Sequence, residues 1–203
     1  MNFLYRNKDI IVLSASDDLC PDRLLEGSWS SCGVDELDEL RQWAVQNYSI
    51  DEDRIFLGGY SAGGQAIYNY VRKKPHTVAG AIILSGNAWA ERENHNTPAQ
   101  WDVNIIHLHG TKDHLIYTCG KYPCYDHKPN GGKQHVIRYL DRPDFQCPDF
   151  SNPTDTSQPE AGVDRHIWEC GNSSISLYKY IHKGHGIVVS KNIMLKVMDQ
   201  LNL

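Results

Sequence analysis

Short apolar runs alternate along this chain with stretches of helical spacing. Asp9-Ile10-Ile11-Val12-Leu13 is short, β-branched and continuously apolar, as a buried parallel strand is. A polar loop follows. Asp35 to Tyr48 then places Leu37, Leu40, Trp43, Ala44 and Val45 at helical spacing, with acids in the first turn. Asp51-Glu52-Asp53 reads as a turn into a strand over 54–57. A helix follows from Gln65 and ends at Lys74-Pro75, where proline cannot continue it. Residues 79–84 form another apolar run, closed by Ser85-Gly86-Asn87. Residues 88–101 read as a polar excursion and 103–109 as a strand.

The second half is less regular. Residues 115–130 read as an ordered loop and Lys133 to Leu140 as a helix. Phe145 to Gly171 is rich in Pro, Asp, Ser and Thr, and reads as a loop that needs a staple. Residues 174–181 alternate like a strand. A glycine-rich loop, His182 to Gly186, leads to a closing helix from Val188 to Leu201. Its apolar positions are Ile193, Leu195, Val197, Met198 and Leu201. Alternating strands and helices predict a mostly parallel sheet flanked by helices, in one α/β domain over 1–203.

Composition narrows the partners. The 203 residues carry a net charge of −5, and Arg72-Lys73-Lys74 is the longest basic run. Nucleic acid and anionic membrane surfaces are therefore not expected partners. No apolar run approaches the ~20 residues of a membrane span, and the first residues carry no signal-peptide pattern. The cysteines are Cys20, Cys32, Cys119, Cys124, Cys147 and Cys170, all in loop-like sequence and with no Cys-x-x-Cys. An even number in loops predicts disulfides and an oxidising compartment, secreted or periplasmic. Nearness in the chain suggests Cys20–Cys32, Cys119–Cys124 and Cys147–Cys170; free buried thiols are the other reading.

The candidate chemistry centres on Leu57-Gly58-Gly59-Tyr60-Ser61-Ala62-Gly63-Gly64. This is Gly-x-Ser-x-Gly between a strand and a helix, the context of a nucleophile elbow. Gly59 and Gly63 are expected to flank the serine because a Cβ would clash in so tight a turn. A serine needs a base, and the base an orienting acid. Asp113 and His185 both follow strands, and Ser, Asp, His is the chain order of the α/β-hydrolases. The backbone N–H of Ala62, next after the serine, would point into an oxyanion hole. Asp102, Asp126 and Asp141 are fallback acids, and His182 is the runner-up base. Tyr60 reads as a spacer.

Those residues resemble the α/β-hydrolase fold, and within it the feruloyl esterase, acetylxylan esterase and polyhydroxyalkanoate depolymerase group. The resemblance rests on Asp51-x-Asp53-Arg54 through Gly64, on His109-Gly110-Thr111-Lys112-Asp113, and on Gly184-His185. It implies a serine esterase acting through an acyl-enzyme. Its substrate would be a small-molecule or polysaccharide-linked ester, with feruloyl or acetyl esters of plant polysaccharide in front. No cofactor or metal is expected.

Three alternatives stand beside it. The fold usually has strands before the one at 9–13, and an exit loop that supplies a second oxyanion donor. That they are not found here implies either an internal start in a longer secreted protein or an N-terminally shortened hydrolase, and loss of one donor costs ~10²–10³ in rate, so a catalytically impaired or non-catalytic remnant is one alternative. A serine peptidase is another, since the triad serves both reactions. The third is a metallohydrolase built on His107-x-His109 and Asp113-His114, in which Ser61 has no role.

Overall fold

The computed structural model describes residues 4–7, 10–13, 31–86, 103–114 and 152–202. Its backbone divides into two compact units, 1–50 and 51–203.

In the first unit, β1 (Leu4–Asn7) pairs antiparallel with β2 (Ile10–Leu13), Leu4 opposite Leu13. This corrects the expectation of a buried parallel strand over 9–13. β2 has an antiparallel partner that the sequence did not suggest, and Val12 is exposed. Helix α1 (Ser31–Asn47) starts earlier than expected. Val34, Asp38 and Ala44 lie on its buried side, and Asp38 accepts from Arg41 and Gln42 one turn on. Trp43, assigned to the apolar face, is exposed and packs edge-on against Tyr48.

Among the described residues the second unit holds a six-stranded sheet and two α-helices. A 3₁₀ turn over Glu52–Arg54, capped by the Asp51 carboxylate, leads into β3 (Phe56–Tyr60). Helix α2 (Ala62–Lys73), β4 (Gly80–Leu84) and β5 (Asn104–Gly110) follow. Then come β6 (Asp155–Glu160), β7 (Val163–Cys170), β8 (Ser173–Tyr180) and helix α3 (Lys191–Gln200). The strand order is β3-β4-β5-β8-β7-β6. β3, β4, β5 and β8 run parallel, while β7 and β6 extend the sheet antiparallel.

The stretch 145–171 therefore holds two strands where a stapled loop was expected. Turns at Ala161-Gly162 and Gly171-Asn172 connect β6, β7 and β8, with Gly162 at φ 78° and Gly171 at φ 63°. Positive φ is what a two-residue hairpin turn requires, and glycine adopts it without strain. Pro159 sits in β6 at the sheet edge, within a register shift between Ser157 and Glu160, one of the few places a strand tolerates proline. Cys170, at the end of β7, is disulfide-bonded to a partner outside the described side chains. The expected helix over 133–140 and the loops at 88–101 and 115–130 lie outside the described residues.

Two faces of the central strands are covered. Along β5, His107 and His109 turn toward α2, where Tyr68 meets His107. Ile106 and Leu108 turn the other way, into a cluster with Tyr178, Tyr180, Ile193, Val197 and Leu201. This is the period of two of a strand buried on both faces. Helix α3 begins at Lys191, not Val188, because Ser190 is its N-cap: Oγ accepts from the Ile193 N–H at 3.1 Å. Gln200, in its last turn, accepts from the Tyr178 hydroxyl at 2.7 Å and donates to Ser176 Oγ at 2.8 Å.

Of the five apolar positions read on this helix, Ile193, Val197 and Leu201 are buried, whereas Leu195 is 53% exposed. Ile193→Ala should cost ~2–5 kcal/mol, the range for removing a fully buried aliphatic side chain. Leu195→Ala should stay within ~0.5 kcal/mol. Urea unfolding of the two variants checks this, and equal losses would show that α3 is not packed as described.

Candidate active site

Four parallel strands end on one edge of the sheet, and each delivers a residue there. This is the edge where open α/β sheets gather their sites. β3 ends at Tyr60, and Ser61 follows at φ 55°, ψ −118°, before α2 begins. A non-glycine residue with such a backbone is strained, and its neighbours must hold it. The Ser61 N–H donates to Leu84 O at 2.9 Å, which anchors the elbow to β4. A Cβ on Gly59 would sit 2.6 Å from the Gly63 backbone and from Ile67 Cδ1, so strand and helix meet too closely for any side chain there. Among the described residues a Cβ on Gly63 would meet nothing within 4 Å, so the clash expected at Gly63 is not the reason for that glycine. Gly64 is the tighter position, 2.9 Å from Gly86 Cα.

β5 ends at Gly110, and Asp113 closes the turn after it, its N–H donating to Gly110 O at 3.2 Å. β8 ends at Tyr180, and the loop beyond carries His185. The loops that carry Asp113 and His185 are joined by hydrogen bonds. The Thr111 N–H donates to Tyr180 O at 2.9 Å, Lys112 N–H to Lys183 O at 2.8 Å, and His182 N–H to Thr111 Oγ1 at 2.8 Å.

The result is a line of three side chains. His185 Nε2 lies 2.9 Å from Ser61 Oγ, and His185 Nδ1 lies 2.8 Å from Asp113 Oδ2. The Asp113 side chain is 1% exposed and that of His185 14%. His109 Nε2 approaches the same Asp113 oxygen at 3.1 Å, within ion-pair distance though off hydrogen-bond alignment. The structure thus brings Ser61, Asp113 and His185 together. His182 is exposed, with φ 61°, and its backbone is bound into the turn with Thr111. Asp102, Asp126 and Asp141 lie outside the described residues. Ala62 stands at the first position of α2, where backbone N–H groups have no partner within the helix.

Two contacts here were not read from the sequence. Ser85, at the end of β4 with φ 46°, donates its hydroxyl to His185 O at 2.7 Å. Tyr60, read as a spacer, is 48% exposed, with its ring centroid 5.1 Å from the His185 ring and its hydroxyl 3.4 Å from His185 O. The His107-x-His109 pair is built differently from a metal site. Both rings are buried, and His107 Nε2 faces His109 Nδ1 at 2.9 Å. His114 is exposed. Among the described residues no group of three or more His, Cys, Asp or Glu is arranged to hold a metal.

With this geometry in view, likenesses to known proteins take on meaning. Residues 36–122 match the phospholipase/carboxylesterase family model, a span that includes Ser61 and Asp113. The computed fold is similar to that of an acetyl xylan esterase from Aspergillus awamori, with TM-score 0.61 and 17% identity over 83% of this chain. The chain has the α/β-hydrolase fold. A carboxylesterase of Bacillus cereus shares the fold at TM-score 0.53 and 12% identity, over 83% of this chain and 59% of its own. A bifunctional acetylxylan esterase/xylanase of Neocallimastix patriciarum is 31% identical over 83 residues, 37% of this chain. The chain spans 12% of that relative's length and 66% of the Aspergillus chain.

The base loop lies directly on Gly110. A Cβ there would sit 2.2 Å from Gly184 O and 2.4 Å from Lys183 O. Gly110→Ala should therefore push the loop away and pull His185 off Ser61, at a cost of ~1–3 kcal/mol in stability. A crystal structure and a denaturation curve of the variant check this; an unmoved loop with unchanged stability would contradict the contact.

Proposed function

We propose that this protein is a serine-dependent carboxylic-ester hydrolase, with Ser61 as nucleophile, His185 as general base and acid, and Asp113 as its orienting acid. One observation carries the reading: Ser61 Oγ and Asp113 Oδ2 sit on opposite nitrogens of one imidazole, at 2.9 and 2.8 Å. With Asp113 accepting from Nδ1–H, Nε2 is the acceptor and can take the serine proton. The serine oxygen then attacks an ester carbonyl, and the oxyanion meets the Ala62 N–H and the positive end of α2. Proton return from Nε2 releases the alcohol. Water repeats the sequence on the acyl-enzyme.

An ester substrate is favoured over a peptide by the company the chain keeps, since both acetylxylan relatives and the carboxylesterase act on esters by name. The same names favour acetyl groups on xylan over feruloyl groups. No observation favours the metallohydrolase or the non-catalytic remnant. The disulfide at Cys170 supports an oxidising compartment, secreted or periplasmic, with Cys147 as its partner. Among the described residues no helix is long and apolar enough to cross a membrane. Residues 1–203 are taken as one catalytic domain.

A fluorophosphonate should label Ser61, and Ser61→Ala should abolish both labelling and turnover of p-nitrophenyl acetate. Asp113→Asn should keep the fold but cost ~10⁴ in rate by favouring the wrong tautomer. His185→Ala should cost about as much as Ser61→Ala, because the three act as a unit, while His182→Ala should cost little. A dead His182→Ala beside an active His185→Ala would move the base; activity in both would end the triad reading. Acetylated xylan should be turned over well ahead of peptide amides, and comparable amide turnover would overturn the substrate class.

Non-reducing peptide mapping should recover Cys147 joined to Cys170, a loop whose closure is worth ~3 kcal/mol against the open chain. Another partner for Cys170 would refute the pairing.

A further inference from the structure

Behind Asp113 lies a row of buried side chains that the proposed reaction does not use. Tyr68, on α2 two turns after Ser61, has its hydroxyl hydrogen-bonded to His107 Nδ1. His107 Nε2 lies 2.9 Å from His109 Nδ1, and His109 Nε2 lies 3.1 Å from Asp113 Oδ2. Both histidines are 0% exposed and Tyr68 is buried. The row thus links the helix that follows the serine to the acid.

The protons along this row can be ordered from its charged end. An ionised carboxylate only accepts. A bare ring nitrogen facing it at 3.1 Å would be repelled, so His109 Nε2 carries a proton. A neutral imidazole has one donor nitrogen, which makes His109 Nδ1 an acceptor. His107 Nε2 must then be the donor across 2.9 Å, and His107 Nδ1 the acceptor. That leaves the Tyr68 hydroxyl to donate. Burial pushes the Tyr68 phenol up, so the proton this requires stays on its oxygen. A further proton on His109 would reverse the His107–His109 and Tyr68–His107 bonds and place a new charge in the interior.

We infer that Tyr68, His107 and His109 form a proton-ordered chain that positions the Asp113 carboxylate from behind. The inference rests on Asp113 being the orienting acid. With His185 Nδ1 hydrogen-bonded to Oδ2 and His109 Nε2 at ion-pair distance from the same oxygen, the carboxylate is contacted on two sides. Tyr68, His107 and His109 touch no reacting atom, so they are positioning residues. Their loss should lower kcat and leave KM in place, because substrate binding does not involve them.

The direct test is long-range ¹H–¹⁵N correlation of the ring nitrogens in full-length protein labelled at histidine. His107 and His109 should both appear as neutral Nε2–H tautomers at neutral pH. An Nδ1–H tautomer at either ring, or an imidazolium at His109, overturns the proton order. This readout does not depend on turnover, so it stands or falls apart from the esterase reading. Tyr68→Phe removes only the terminal donor and should lower kcat about fivefold with KM unchanged. His109→Leu should lower kcat roughly tenfold or more. His109→Gln, whose amide can both accept and donate, should recover most of that loss. Wild-type kcat in Tyr68→Phe, or a glutamine variant no better than leucine, would overturn the positioning role even with the tautomers as expected.

Discussion

His185, which follows β8, has to come back across two strands to reach Ser61. Neighbouring strands lie about 4.8 Å apart, so β8 ends roughly 14 Å from β3. Ser61 leaves β3 and His185 follows β8, with β4 and β5 between them. The loop after Tyr180 closes that distance by folding over the ends of both intervening strands. At β5 it rests on Gly110, with Gly184 O and Lys183 O where a Cβ would otherwise be. At β4 the Ser85 hydroxyl catches the His185 carbonyl. The Ser61–His185 distance is thus set by two contacts that belong to neither residue's side chain. Lys112 and Thr111 tie the same loop to the turn that carries Asp113.

The carboxylate under that loop is the second constraint. Taking a charge out of water costs several kcal/mol unless its partners are well placed. Asp113 keeps almost none of its side chain in solvent and has imidazoles of His185 and His109 on one oxygen. Those rings come from different layers, one from the surface loop and one from the interior of β5. A site held on one side alone would leave the acid to swing with the loop. Contacts from both sides hold the buried carboxylate beside the part-buried His185 imidazole.

Much of this was legible because the sequence signals were local. The elbow reads from Gly59, Ser61 and the flanking periodicity, and the parallel strands read from their apolar runs. The missed features depended on pairing. β2 carries the apolar run of a buried strand, yet it pairs in a two-strand ribbon that leaves Val12 exposed. β6 and β7 were hidden by Pro159, His166 and a polar composition, although Gly171-Asn172 is a recognised hairpin turn and marked the junction with β8. Gly63 and Gly110 show the same limit. The first fits the motif but has no steric need for glycine among the described residues, while the second is required by a loop more than seventy positions away. Tyr60 and Ser85 had no signal in the sequence, because their partner is a backbone carbonyl at position 185.

The unusual backbone angles fall in the same place. Ser61, Ser85 and His182 are three of the four non-glycine residues with positive φ among the described residues, and all three lie on the carboxyl edge of the parallel strands. Each such residue costs of order 1–3 kcal/mol and persists only where its surroundings over-determine it. Here the surroundings are extensions of the sheet's own hydrogen bonding: Ser61 N–H to Leu84 O, Ser85 N–H to Leu108 O, and His182 N–H to the Thr111 hydroxyl beside the Thr111–Tyr180 bond. The strain at the serine is therefore supported by the register of β3 on β4, and the strain at Ser85 by the register of β4 on β5. A slip of β3 on β4 would release the elbow, and a slip of β4 on β5 would release the Ser85 that holds the His185 carbonyl. The strand ladder, more than the core beneath it, is what makes this edge of the sheet a site.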